Sequence, residues 1–153
     1  MLTWPARVDA DAGYLETTER LRLIESLGVV GADWCAETLA VAYAEESGEM
    51  RDAVVGAAGD CLSAGRPTLE RALVADRPSE RALAIEGFSK IGDLGPVEPL
   101  LDDPSLPVAV AASYALVRAG AVATVESYLA ARPQNDERTT EIRSVLGVLD
   151  AAF

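Results

Sequence analysis

The chain has no histidine among its 153 residues and a single lysine, Lys90. Without histidine it lacks the commonest general base, the Ser-His and Cys-His nucleophile pairs, and the commonest zinc ligand. Ser89 stands next to Lys90 on a predicted helix, where neighbours point about 100° apart, so the two cannot form a catalytic pair. We therefore predict a protein that is not an enzyme, with no catalytic residues, no cofactor and no metal ligands.

Positive charge is also scarce. The formal net charge is −12 and the sequence pI is near 4.3. A nucleic-acid interface needs lysine and arginine to displace the counterions of the phosphates, so nucleic acid is not expected as a partner. The same field attracts a basic protein or peptide, although it also serves simply to keep a protein dissolved.

Cysteines and long apolar runs are few as well. Cys35 and Cys61 form no CxxC pair and fall in predicted helices, so we expect two buried, reduced thiols. This usage is typical of a cytoplasmic protein. No apolar run approaches the roughly 18 residues that a membrane span needs, and the N-terminus lacks the apolar stretch of a signal peptide. We predict a cytoplasmic protein without membrane insertion.

What the sequence does contain is a repeat. Glu70, Glu98 and Glu126 occupy the same place in three similar segments, with a spacing of 28 residues (98 − 70 and 126 − 98). A looser fourth copy surrounds Glu37. Apolar residues recur within these segments at the helical period, for example Val97, Leu100 and Leu101. A fixed period in this range predicts stacked helix pairs, each too small to bury its own apolar face.

Glycine and proline divide the chain into helices. We expect four glycines to end helices in the left-handed conformation, namely Gly28, Gly65, Gly92 and Gly120. Three prolines are expected to separate the pairs (Pro78, Pro104 and Pro133), and two to open helices (Pro67 and Pro96). The predicted helices are 17–27 and 34–46, 49–64 and 67–75, 79–91 and 96–102, 107–119 and 121–131, and a closing helix at 136–150.

The predicted domain organisation follows from these helices. Residues 1–16 form an extended leader anchored by Trp4 and Tyr14, and residues 17–153 form one repeat domain. Its units are about 17–47, 48–77, 78–104 and 105–133, with a capping helix at 134–153. The apolar face of the third unit includes Ala82, Ala84, Ile85, Phe88 and Ile91, which corresponds 28 residues later to Val110, Ala112, Ser113, Leu116 and Ala119.

The stretch from Glu80 to Asp93, continued by Val97 to Asp103, resembles HEAT repeats, most closely the short variety first associated with phycobilisome lyases. Val108 to Gly120 resembles the next unit. The resemblance is good over 79–131, loose over 17–75 and absent over 1–16. The family pattern has an arginine near the start of each first helix, which Arg81 matches well and Arg20, Arg51 and Arg138 match approximately, whereas the fourth unit has Ala109 there.

This resemblance implies an all-α fold: an α-solenoid of about four to five HEAT-like helix pairs, wound as a right-handed α-α superhelix. The second helix of each pair would line its concave face. It implies no particular reaction, because members of the family do very different things.

The candidate partner-binding residues are four glutamates and one tryptophan: Glu37, Glu70, Glu98, Glu126 and Trp34. Each glutamate follows a stripe residue by one position, which predicts the flank of the buried face. Two interpretations stand: an interaction with the positive helix N-terminus, or a row of acceptors along the concave groove. The acidic pairs Glu45-Glu46, Asp102-Asp103 and Asp136-Glu137 are interpreted as solvated loop ends, with a binding rim as the alternative.

Three functions are compatible with this pattern. The first is a non-enzymatic scaffold that binds a protein or peptide on its acidic concave face. The second is an immunity or antitoxin-type neutraliser of a basic protein. The third is a subunit of a bilin-lyase-like enzyme, which the absence of histidine places last.

Overall fold

The computed structural model of the protein describes Trp4 and residues 17–152, and every regular element in this part of the chain is a helix. The predicted all-α fold is therefore confirmed. The α-helices are α1 (Thr17–Val30), α2 (Asp33–Glu45), α3 (Gly48–Asp60), α4 (Arg66–Leu73), α5 (Pro78–Ile91), α6 (Leu106–Arg118), α7 (Val122–Ala130) and α8 (Glu137–Ala152). Two 3-10 helices, Leu62–Gly65 and Gly95–Asp102, complete the set.

Contacts within the chain define two compact units, one up to Ile91 and one from Gly92 onwards. In the first unit α1 packs on α2 and α3, and α3 packs in turn on α4 and α5. In the second unit α6 packs on the Gly95–Asp102 helix, on α7 and on α8. In each unit, a helix therefore packs against the next helix along the chain and also against the one that follows it. This is the solenoid-like packing expected of stacked pairs.

The apolar stripes read from the sequence form the core of both units. Ile85 and Phe88 are buried on α5, and Ser113 and Leu116 take the equivalent buried positions on α6. Ala119 is exposed, because α6 ends at Arg118 and the chain has already left the helix there. Trp4 is buried, as the anchoring role proposed for it requires, whereas Tyr14 lies outside the described residues.

Two of the four glycine predictions are right and two are wrong. Gly92 and Gly120 have φ of 85° and 88°, the left-handed conformation expected after a helix. Gly28 instead lies inside α1, and the left-handed residue is Gly31. Gly65 has φ of −81°, which any residue can adopt. Glycine is needed there because the backbones pass close together, and an added Cβ would lie 1.8 Å from the carbonyl oxygen of Ala58.

Two helices also differ from their predicted form. The segment predicted as one helix over 49–64 breaks after Asp60, and Leu62, the first residue of the short 3-10 helix, takes a left-handed φ of 55°. Pro78 opens α5 rather than standing between the pairs. The segment predicted over 96–102 is a 3-10 helix that contains Pro99, whose ring would clash with the preceding turn of an α-helix.

Two of the arginines near the starts of helices, Arg81 and Arg138, bind the backbone at the ends of second helices. The Arg81 Nη1 atom donates to the carbonyl oxygens of Ala75 at 2.8 Å and Asp76 at 3.0 Å, just beyond the end of α4. Arg138 on α8 donates in the same way to the carbonyl oxygens of Leu101 and Asp103 at the end of the 3-10 helix. Carbonyl groups at a helix C-terminus lack partners within the helix and carry partial negative charge, so a guanidinium group is well placed there.

Candidate partner-binding site

The four candidate glutamates all lie on the surface. Glu37, Glu70, Glu98 and Glu126 are exposed, and each follows a buried residue by one position, as predicted. They are divided between the units, with Glu37 and Glu70 in the first and Glu98 and Glu126 in the second. Their exposure satisfies a basic requirement for a binding role.

Glu70 differs from the others because its charge is already engaged. Its Oε1 atom lies 2.8 Å from Nε of Arg66, one turn earlier on α4. Among the described residues, no basic side chain pairs with Glu37, Glu98 or Glu126. These three carboxylates are therefore the candidates that can meet a cation on a partner without first giving up an internal ion pair.

The second unit contains a groove of about 740 Å³ between the Gly95–Asp102 helix and α7. These are the second helices of the third and fourth predicted pairs, the ones that carry Glu98 and Glu126. The lining residues are Gly95, Glu98, Pro99, Leu101, Asp102, Ala123, Thr124, Ser127 and Tyr128. Glu98 thus faces a groove that combines acidic, hydroxyl and apolar groups, whereas Glu126 lies on α7 outside the lining.

The 3-10 conformation explains why Glu98 faces this groove. A 3-10 helix has three residues per turn, so side chains three positions apart lie one above the other. Gly95, Glu98 and Leu101 form one such column, and Pro99 with Asp102 forms the next. The two prolines, three residues apart at 96 and 99, were the signal in the sequence that an α-helix would not form here.

The polar groups at one end of the groove satisfy one another. The Tyr128 hydroxyl lies 2.7 Å from Oδ1 of Asp102 and 2.8 Å from the carbonyl oxygen of Leu101. Burial, and next the hydrogen bond to Asp102, raise the pKa of Tyr128, so its phenol stays protonated. Nη1 of Arg132 lies 3.4 Å from the same Asp102 oxygen. The available negative charge of the groove therefore belongs to Glu98.

One member of each acidic pair is exposed as expected, but the interpretation as solvated loop ends is wrong for the other member, Glu46, Asp103 or Asp136. Glu46 is buried and its Oε1 accepts from Nε1 of Trp4 and Nε of Arg20. Asp103 is buried and accepts from the backbone N–H of Ser105 just before α6. Asp136 accepts from the backbone N–H of Thr139 at the start of α8. Asp103 and Asp136 satisfy backbone N–H donors that a turn leaves without partners, and Glu46 joins two side chains from other parts of the chain.

Trp34 is 57% exposed and lies at the start of α2. Val29 and Val30, at the end of α1, are also exposed, so apolar side chains are concentrated at this turn. Glu37 follows Trp34 by three residues on the same helix. Tryptophan is prominent among residues that dominate the free energy of protein–protein binding, which keeps Trp34 a candidate for a contact in the first unit.

The remaining chemistry of the chain is modest. Cys35 and Cys61 are buried and unpaired, and burial raises the pKa of the Cys61 thiol. The Cys61 thiol is thereby kept in the unreactive protonated form. In the part of the chain that the structure describes, no three acidic or cysteine side chains form a metal-binding group. None of the helices described combines the length and apolar character that crossing a membrane requires.

No protein-family model and no curated protein matches the chain. Membership of the HEAT-repeat family therefore stays a prediction that rests on the residues quoted above.

Proposed function

We propose that the protein is a non-enzymatic protein–protein interaction module that binds a basic segment of a partner protein in the groove of its second unit. The observation that carries this proposal is the placement of Glu98. Its carboxylate is exposed, pairs with no basic side chain in the described part of the chain, and lines a groove between two second helices. The two cysteines, both reduced and buried, favour a cytoplasmic setting.

The groove indicates what kind of segment fits. An arginine or lysine of the partner meets Glu98, while an adjacent apolar side chain packs on Pro99, Leu101 and Ala123. The hydroxyl groups of Thr124 and Ser127 hydrogen-bond to the partner's backbone. A volume of about 740 Å³ holds a few side chains, so the occupant is a short stretch of chain rather than a whole domain.

The charge of the whole protein supports the same class of partner. A net charge of −12 attracts a basic protein over distance and repels an acidic one, so it raises the rate of encounter and the specificity more than the final affinity. Because exposed charges are screened over roughly 10 Å at 0.1 M salt, we expect the affinity to fall as salt is added.

The test is a pull-down from the native cell extract followed by affinity measurement with the captured protein. Reversing one charge, Glu98→Arg, should weaken binding at least tenfold, which corresponds to about 1.4 kcal/mol. The fold should survive, since exposed substitutions change stability little.

Glu141→Arg is the matched control, because Glu141 is exposed in the same unit but does not line the groove. It should bind nearly as well as the wild type. If the groove variant and the control lose affinity equally, only general attraction is at work and the groove is not the site. Affinity that ignores the charge reversal would likewise reject Glu98 as a contact.

A further inference from the structure

The first unit also contains a pocket, of about 540 Å³, and arginines are prominent in its lining. It lies where the ends of α2 and α4 meet the starts of α3 and α5. Three of the chain's 13 basic residues line it, Arg51, Arg71 and Arg77, together with the acidic side chains of Asp76 and Glu80. A surplus of guanidinium groups in one pocket is unexpected in a protein of net charge −12.

A buried tyrosine organises two of these arginines. The guanidinium carbon of Arg51 lies 4.0 Å from the ring centroid of Tyr43, and that of Arg71 lies 4.7 Å from it. Such cation–π contacts hold a guanidinium group without using its N–H donors. Burial, and then the negative charge of the neighbouring Glu80, raise the pKa of Tyr43, so the phenol stays neutral.

The N–H donors of the pocket outnumber the acceptors that face them. Arg77 uses its Nη2 atom for Asp52, at 3.0 Å from Oδ2. Its Nη1 atom is buried, and no described group accepts a hydrogen bond from it. Nε of Arg51 lies 3.1 Å from Oε1 of Glu80, an ion pair without hydrogen-bond alignment. Arg71 pairs with no acidic side chain among the described residues.

We propose that this pocket binds an oxyanion, the phosphate or carboxylate group of a small ligand. A buried N–H group without an acceptor destabilises the fold, and an anionic oxygen that reaches Nη1 of Arg77 removes that cost. Arg71, already stacked on Tyr43, presents its planar fork of donors, the geometry that suits phosphate and carboxylate oxygens. Asp52 and Glu80 hold Arg77 and Arg51 in place, and Arg71, which pairs with no described acid, meets the ligand in a pocket that also contains the exposed Asp76.

The experiment is calorimetric titration of the full chain with inorganic phosphate, acetate and phosphoserine at low ionic strength. We expect saturable binding of one oxyanion per chain, with the amide NMR signals of Gly48 and Asp76 shifting as the site fills. The comparison of phosphate with acetate shows which geometry is preferred, and phosphoserine shows whether a monoester fits. Arg71→Gln should weaken binding at least fivefold, because it removes the charge and the fork of donors.

Arg118→Gln provides the matched control. Arg118 is exposed and stacks on Tyr114 at 5.6 Å, so the substitution removes the same charge from a similar tyrosine contact outside the pocket. It should leave binding unchanged. Arg71 is itself exposed, so Arg71→Gln should keep the wild-type melting temperature. The proposal is overturned if the wild type binds none of the three anions saturably, or if the two variants bind alike.

Discussion

Asp136 shows how much a single carboxylate contributes in this fold. Its Oδ1 atom accepts from the backbone N–H of Thr139 at 2.7 Å, the geometry of a helix N-cap, and its Oδ2 atom lies 2.6 Å from Nη2 of Arg132. Hydrogen bonds with Thr139, followed by the hydrogen bond from Arg132, lower the pKa of Asp136 from 3.8 to about 2. The sequence contained the signal, an aspartate before an apolar-periodic segment, yet its neighbour Glu137 made the pair resemble a charged turn.

This pKa predicts a pH-dependent contribution to stability. A carboxyl group with a lowered pKa stabilises the folded state when ionised, so its contribution is complete above about pH 4 and is lost as pH falls from 3.8 towards about 2. Asp136→Ala should therefore lower the free energy of unfolding at pH 7, and its difference from the wild type should shrink over that acidic range. Urea unfolding at a series of pH values measures both quantities.

Glu141→Ala is the control, since Glu141 is an exposed acid on the same helix. It should unfold like the wild type at every pH. A difference between Asp136→Ala and the wild type that persists unchanged down to pH 2 would mean that the ionised carboxylate is not what stabilises α8.

At the scale of helices, the sequence predicted where each helix lies better than where a helix breaks or how closely two helices approach. The 28-residue repeat and the apolar stripes located nearly every helix to within a few residues, because both patterns come from local periodicity. The break after Asp60 and the close approach of Gly65 to Ala58 were missed. Both depend on the path by which α3 and α4 meet, and a glycine needed for space looks the same in a sequence as one needed for conformation.

Two glycines separate these roles experimentally. Gly65→Ala should destabilise the protein by about 1–3 kcal/mol, because the new methyl group would overlap the Ala58 carbonyl and the backbone must move. Gly56→Ala, in the middle of α3 with nothing within 4 Å of an added Cβ, should stabilise it by about 0.5–1 kcal/mol. Urea denaturation of both variants gives the two free energies. Equal effects would contradict the packing described for the junction of α3 and α4.

For the whole molecule, the repeat predicted the fold class and the surface positions of the glutamates, but it did not distinguish among them. Equivalent places in the sequence have different surroundings: Glu70 is paired with Arg66, whereas Glu98 lines a groove. The arginine pocket was missed entirely, because Arg51 lies on α3, Arg71 on α4 and Arg77 in the turn before α5, and only the folded chain brings them together. Features that recur along the chain can be predicted from the sequence, whereas a pocket formed by residues that are distant in the sequence cannot.

The central claim is that the groove of the second unit binds a basic segment of a protein. The most direct measurement is amide NMR of the full chain at low ionic strength, with a short peptide of alternating arginine and alanine and an acidic counterpart of alternating glutamate and alanine. The basic peptide should shift the signals of Glu98, Leu101, Ser127 and Tyr128 saturably, and Glu98→Arg should remove these shifts. The acidic peptide should not shift the signals of these four residues. Shifts confined to residues 17–91, or equal shifts from both peptides, would contradict the account.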